Sequence, residues 1–141
     1  MKYLLLVHHN EEAFNKIPED KRTEMLAESI QLCHQLDATD QYIHASPLQP
    51  EATGTVVRVR DGKPMVTDGP FIETKEQLAG YFLVDAKDRE EAIGIAERVP
   101  GARIGTVEVR PVTEITGLPG TKQYRGLSAE QKELLRDACQ G

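Results

Sequence analysis

Tryptophan is absent, only two cysteines occur, and four tyrosines with three phenylalanines make up the 5% aromatic content of a 141-residue chain. Cys33 and Cys139 stand far apart with no companion ligands at metal-binding spacing, which excludes a zinc ribbon and a secreted disulfide scaffold. A reducing cytoplasmic setting is therefore expected. Long apolar runs are missing as well. Stretches such as Leu4 to Val7 fall far short of the roughly 20 residues a membrane helix needs, and no signal-peptide stretch follows Met1-Lys2, so no membrane partner is expected. Basic charge is in deficit: 17 lysines and arginines against 23 acids leave a formal net charge of −6. With so few aromatics to stack on bases, that balance disfavours direct nucleic-acid binding. Walker loops, GxGxxG, GxSxG and HExxH are absent too, which removes the usual signatures of nucleotide, serine-hydrolase and zinc-protease chemistry. No cofactor and no metal are implied.

What is present suffices for one domain with a core of its own. Lys2 to His8 reads as a central strand buried on both faces, ending in the polar run His9-Asn10-Glu11-Glu12. Pro18, Glu19 and Asp20 suit a first helical turn, and Met25, Leu26, Ile30, Cys33 and Leu36 continue an amphipathic helix over 18–36. Gln41 to Ala45 is a short strand stopped by Pro47 and Pro50. Thr55 to Arg60 alternates, Asp61-Gly62 is a tight-turn pair, and Pro64 to Thr67 returns, which predicts a β-hairpin. A loop at Asp68-Gly69-Pro70-Phe71 leads to a strand through Tyr81 to Val84, a helix over 87–99 and a strand over 105–112. The order fits an α+β ferredoxin-like βαβ repeat with an added hairpin, two helices covering one face of an antiparallel sheet. Residues 1–113 form that domain. Residues 114–141 read as a linker and a short helix, opened by a Ser128/Gln131 capping box.

The strands have two unlike faces. Valines at 57, 59, 107 and 109 alternate with Arg58, Arg60, Glu108 and Arg110, and Leu5 and Val7 alternate with Leu6 and His8. With helices on the valine side, the other face is expected to carry His8, Arg58, Arg60, Glu108 and Arg110, joined by Tyr81 or Phe82 according to register. Such a face either lies in water or closes against a second subunit to make a cavity with polar walls. Its charges are either solvated cross-strand pairs or an anion site, since guanidinium forks hold carboxylates well. His8 is the candidate general base; His9, its neighbour, points to the opposite face, so the two cannot share a metal. Asp68 is the candidate acid/base carboxylate, with Phe71 as the aromatic that would anchor its loop in the core. Cys33 reads as core and His34 as surface.

Four blocks carry a resemblance: Pro47-Leu48-Gln49-Pro50, TVVRVRDG from Thr55, VTDGPFIETKEQLAGYFLV from Val66, and VEVRPV from Val107. In this order they resemble the YCII-related family in its DGPF-domain branch, over about residues 1–113. The resemblance implies a homodimer whose sheets pack face to face as a dimeric α+β barrel. Some members carry a proposed His–Asp pair; its aspartate falls on Asp68, whereas the first helix offers Thr23 and Ser29 where the histidine is expected. It also implies an association with sigma-factor regulation. Two function classes follow. In the first, a homodimer binds a small anionic or aromatic organic molecule in its cavity and acts on it by cofactor-free acid/base chemistry, with Asp68 and His8 exchanging the proton and Arg58, Arg60 and Tyr81 holding the ligand. The alternative is a non-catalytic ligand-sensing or protein-interaction module serving a sigma factor or other regulator, with the C-terminal helix as the docking surface.

Overall fold

In the computed structural model, which describes residues 1–119 and 128–139, the alternating N-terminal run forms β1 (Lys2–His9). Asn10 then caps a short helix α1 (Glu11–Asn15), its side-chain oxygen accepting from the Ala13 N–H at 2.7 Å. This helix is not expected from the sequence, where the polar run only ends the strand, because five residues show no apolar period. Helix α2 (Glu19–Ala38) starts after Pro18 with Glu19 and Asp20 in its first turn, close to the expected span. Strand β2 (Tyr42–Pro47), the hairpin β3 (Thr55–Arg60) and β4 (Lys63–Asp68), strand β5 (Gln77–Asp85), helix α3 (Arg89–Glu97) and strand β6 (Thr106–Pro111) follow.

Four strands make one antiparallel sheet in the order β2-β5-β1-β6, a ferredoxin-like α+β arrangement that does not close into a barrel among the described residues. Tyr3, Leu5 and Val7 of β1 and Phe82 and Val84 of β5 point to one side. They are buried there under Leu32 and Leu36 of α2 and Ala92, Ile95 and Ala96 of α3. Non-polar area removed from water on this side is the main source of cohesion. The expectation that β1 is buried on both faces is corrected: Leu4, Leu6 and His8 stay half-exposed, because helices cover one side of the sheet only.

Asp61 and Gly62 turn the hairpin with φ of 52° and 74°, the left-handed conformation that a two-residue hairpin loop requires. The turn is as expected, but its position is not. Strands β3 and β4 form a separate two-stranded sheet, so Arg58 and Arg60 do not lie on the face that carries His8. Val57 and Val59, read as core, are 62% and 60% exposed. The period-2 pattern was read correctly as strand, but alternation cannot say which sheet a hairpin joins. At the C-terminus, helix α4 (Ala129–Cys139) opens with the expected capping box: the Ser128 N–H donates to Gln131 Oε1 at 2.9 Å, and the Gln131 N–H to Ser128 Oγ at 3.2 Å.

Gly105, just before β6, fixes the end of β1. A β-carbon there would stand 2.0 Å from the carbonyl oxygen of His8 and 3.1 Å from the His9 α-carbon, backbone atoms that cannot swing aside as a flexible side chain could. Gly105→Ala is predicted to lower the unfolding free energy by about 1–3 kcal/mol, the usual cost of overpacking. Urea denaturation measures it, and a change within about 0.5 kcal/mol, typical of surface positions, would contradict this packing.

Candidate functional site

Successive residues at the end of β1 serve opposite sides of the sheet. His8 lines a cleft of about 370 Å³ between Gln77 and Leu78 of β5, the Gly54–Val56 segment and the loop around Gly69–Ile72. His9 lines the helix side instead. The cleft wall is tied down by side-chain hydrogen bonds. Asn10 Nδ2 donates to the Lys75 carbonyl at 2.9 Å, the Glu11 N–H donates to Gln77 Oε1 at 2.9 Å, and Gln77 Nε2 donates to the Thr74 carbonyl at 2.7 Å. Glu76 accepts from the Thr106 hydroxyl at 2.7 Å, and the Glu51 N–H donates to Glu11 Oε1 at 2.9 Å. An imidazole, the carboxylates of Glu51 and Glu76 and the Thr74 hydroxyl therefore line one cleft, a set suited to exchanging protons with a small molecule. Neither glutamate stands out in the sequence: Glu51 follows Pro50 in a loop, and Glu76 lies in the polar segment from Ile72 to Gln77.

Tyr81 lies on the uncovered face, paired with Leu6 across the ladder, while Phe82 belongs to the core. The Tyr81 hydroxyl and His44 Nδ1 are 2.8 Å apart, and the two rings stack at 5.6 Å between centroids. No local pattern in the chain announces this pair. It depends on the register of Ser46 opposite Tyr81, which sets His44 two residues along the neighbouring strand on the same face. Arg110 is not an open anion site: its guanidinium is held by Glu108 of its own strand at 2.6 Å.

The remaining expected residues sit on or beside the hairpin. Asp68 immediately precedes Gly69 of the cleft, but its carboxylate is exposed and makes no hydrogen bond or ion pair among the described residues. Thr55 faces Asp68 and Arg58 faces Met65 in the β3–β4 ladder, so alternation sets Asp68 on the face opposite to Arg58 and Arg60. Arg60 donates to the neighbouring Val59 carbonyl at 3.0 Å. None of the three lines the cleft that holds His8. Phe71 does not anchor its loop: it is 71% exposed. Cys33, read as core, is half-buried and lines a cavity beneath α2. Among the described residues there is no group of three or more His, Cys, Asp or Glu that could hold a metal ion, and no helix long and apolar enough to cross a membrane.

Comparison with known proteins gives two findings. The model of a YCII-related domain matches residues 1–116. An uncharacterized protein of Rhizobium meliloti (strain 1021) is 38% identical over 80 residues, covering 51% of this chain and 64% of the relative, so the chain spans less than two-thirds of that relative's length.

On the helix side, His9 stacks on Phe14 with centroids 4.3 Å apart and planes at 14°. Burial holds its pKa below the ordinary 6.5, outweighing the opposite pull of Glu11 and Glu76. The unfolded chain therefore takes up a proton first as the pH falls. Stability from this group is full above 6.5 and drains away as the pH drops through the folded value. His9→Gln should consequently lose less stability than the parent between about pH 7 and pH 5 in urea titrations; parallel curves would show that His9 is not the group responsible.

Proposed function

Because the chain belongs to the YCII-related family, we propose that it binds a small organic molecule in the cleft beside His8, under cover of a second copy of itself, and moves a proton on it without a cofactor. The observation that carries this reading is the half-buried His8 imidazole in a cleft of about 370 Å³ whose other polar residues are Glu51, Thr55, Thr74, Glu76 and Gln77. His8 is the proton acceptor, and Asp68, whose exposed carboxylate lies outside the cleft next to Gly69, returns the proton by way of solvent. Of the two expected ligand chemistries, the aromatic one suits this cleft better, since Glu51 and Glu76 repel an anion. Arg58 and Arg60, exposed on the hairpin, then act by attracting anionic molecules over a distance rather than by clamping them. Tyr81, steadied by His44, supplies an aromatic surface at the sheet.

The homodimer is supported by the composition of the uncovered face. Half-exposed Leu4, Leu6, Leu83 and Tyr81 lie at its middle, with His44, Glu108 and Arg110 around them, the apolar centre and polar rim of an association surface. A cytoplasmic setting is part of the same reading. A second reading, a non-catalytic module that senses a ligand and recruits a regulator such as a sigma factor, draws support from Leu134, 64% exposed on helix α4. The DGPF branch is where both readings meet.

Deuterium uptake distinguishes them. Small aromatic carbonyl compounds incubated with the chain in D₂O should gain deuterium beside the carbonyl. His8→Gln should slow that uptake at least about tenfold, and Asp68→Asn should do the same without changing the assembly. Uptake unchanged in both variants would remove the acid/base assignment. Binding with no uptake by the parent chain would favour the sensing module.

A further inference from the structure

The helix side of the sheet contains a second cavity, of about 230 Å³, that the proton-transfer reading does not use. It lies beneath the first half of α2, which diverges from the core: only Leu32 and Leu36 of that helix are buried, whereas Leu26 and Ile30 are 50% and 51% exposed at the cavity's edge. Phe14, Met25, Ile30 and Cys33 give it an apolar lining. An engineered cavity of about 150 Å³ suffices for benzene, so this one has room for a single ring and a short substituent.

One charged group faces that lining. Arg22 is half-buried, its Nε donates to the Ile17 carbonyl at 3.0 Å, and its guanidinium carbon lies 5.9 Å from the centre of the Phe14 ring. These contacts fix the plane of the guanidinium. Among the described residues no carboxylate pairs with it, and its two terminal nitrogens meet no acceptor. A guanidinium oriented in advance, with its donor edge free beside an apolar cavity, matches a carboxylate in both charge and shape.

We propose that this cavity is a binding site for a single-ring aryl carboxylate, with the ring against Phe14, Met25, Ile30 and Cys33 and the carboxylate accepting from both terminal nitrogens of Arg22. The site is independent of the His8 cleft, on the opposite side of the sheet. It gives the anionic ligand a place that neither Arg110, paired with Glu108, nor the exposed hairpin arginines provide.

Cys33 reports occupancy. In the full chain carrying Cys139→Ser, alkylation of Cys33 by iodoacetamide is followed by mass spectrometry with benzoate, phenylacetate or 3-phenylpropanoate present, each beside its neutral amide. At least one acid should slow alkylation about fivefold or more at saturation, and its amide should need about tenfold higher concentration for the same protection. Arg22→Gln should reduce the acid to the level of the amide while the melting temperature stays within about 2 °C. Ser29→Leu, which fills the cavity and keeps the guanidinium, should abolish protection by both, and His8→Gln should leave it intact. Equal protection by acid and amide in the parent, an acid preference that survives Arg22→Gln, protection that survives Ser29→Leu, or no protection by any of the three acids at about 10 mM would overturn the proposal.

Discussion

Burial of a four-stranded sheet on one side only is the constraint from which the other features follow. Tyr3, Leu5 and Val7 meet the helices, and period-2 geometry then obliges Leu4, Leu6 and His8 to face away. Two helices cannot cover both sides of four strands, so a surface with apolar residues at its middle is left without a covering layer among the described residues. The same alternation separates His8 from His9. One imidazole reaches the cleft beside Gly69 and Glu76, and the other is desolvated against Phe14.

The two sides are chemically different, and the two proposed ligand sites differ accordingly. The His8 cleft is rich in carboxylates and hydroxyls and has a wall held by the Asn10, Glu11 and Gln77 hydrogen bonds. The cavity under α2 is apolar, with one oriented cation at its edge. An exposed ion pair such as Arg110 with Glu108 contributes at most about 1 kcal/mol to stability and offers no free cation. Arg22 differs in having its orientation fixed by a backbone carbonyl and an aromatic ring, with no carboxylate to neutralise it among the described residues.

The order of the elements other than α1, the spans of α2 and α3 to within two residues, the Asp61-Gly62 turn and the Ser128 capping box were legible because each is a local signal: a period, a turn pair, a cap. Residues brought together by pairing between distant strands were not. His44 meets Tyr81 only through the β2–β5 register, which contains an irregularity between Tyr42 and His44 that no pattern in the chain announces. Arg58 and Arg60 were assigned to the His8 face because the alternation of β3 matches that of β6; the hairpin pairs with itself, so the match carried no information about position. Phe71 shows the limit of composition. An aromatic beside glycine and proline suggests an anchor, yet here its side chain is open to solvent.

The proposed function requires the uncovered sheet face to be an interface between two copies of the chain. Sedimentation equilibrium at micromolar concentrations, on the parent and on Leu6→Arg, tests this most directly. The predicted result is a parent species of twice the 15.7 kDa chain mass and a folded monomer for the variant, because a charge at the middle of the face cannot be desolvated there. A parent chain that remains monomeric at about 100 μM, or a dimer indifferent to Leu6→Arg, would contradict it.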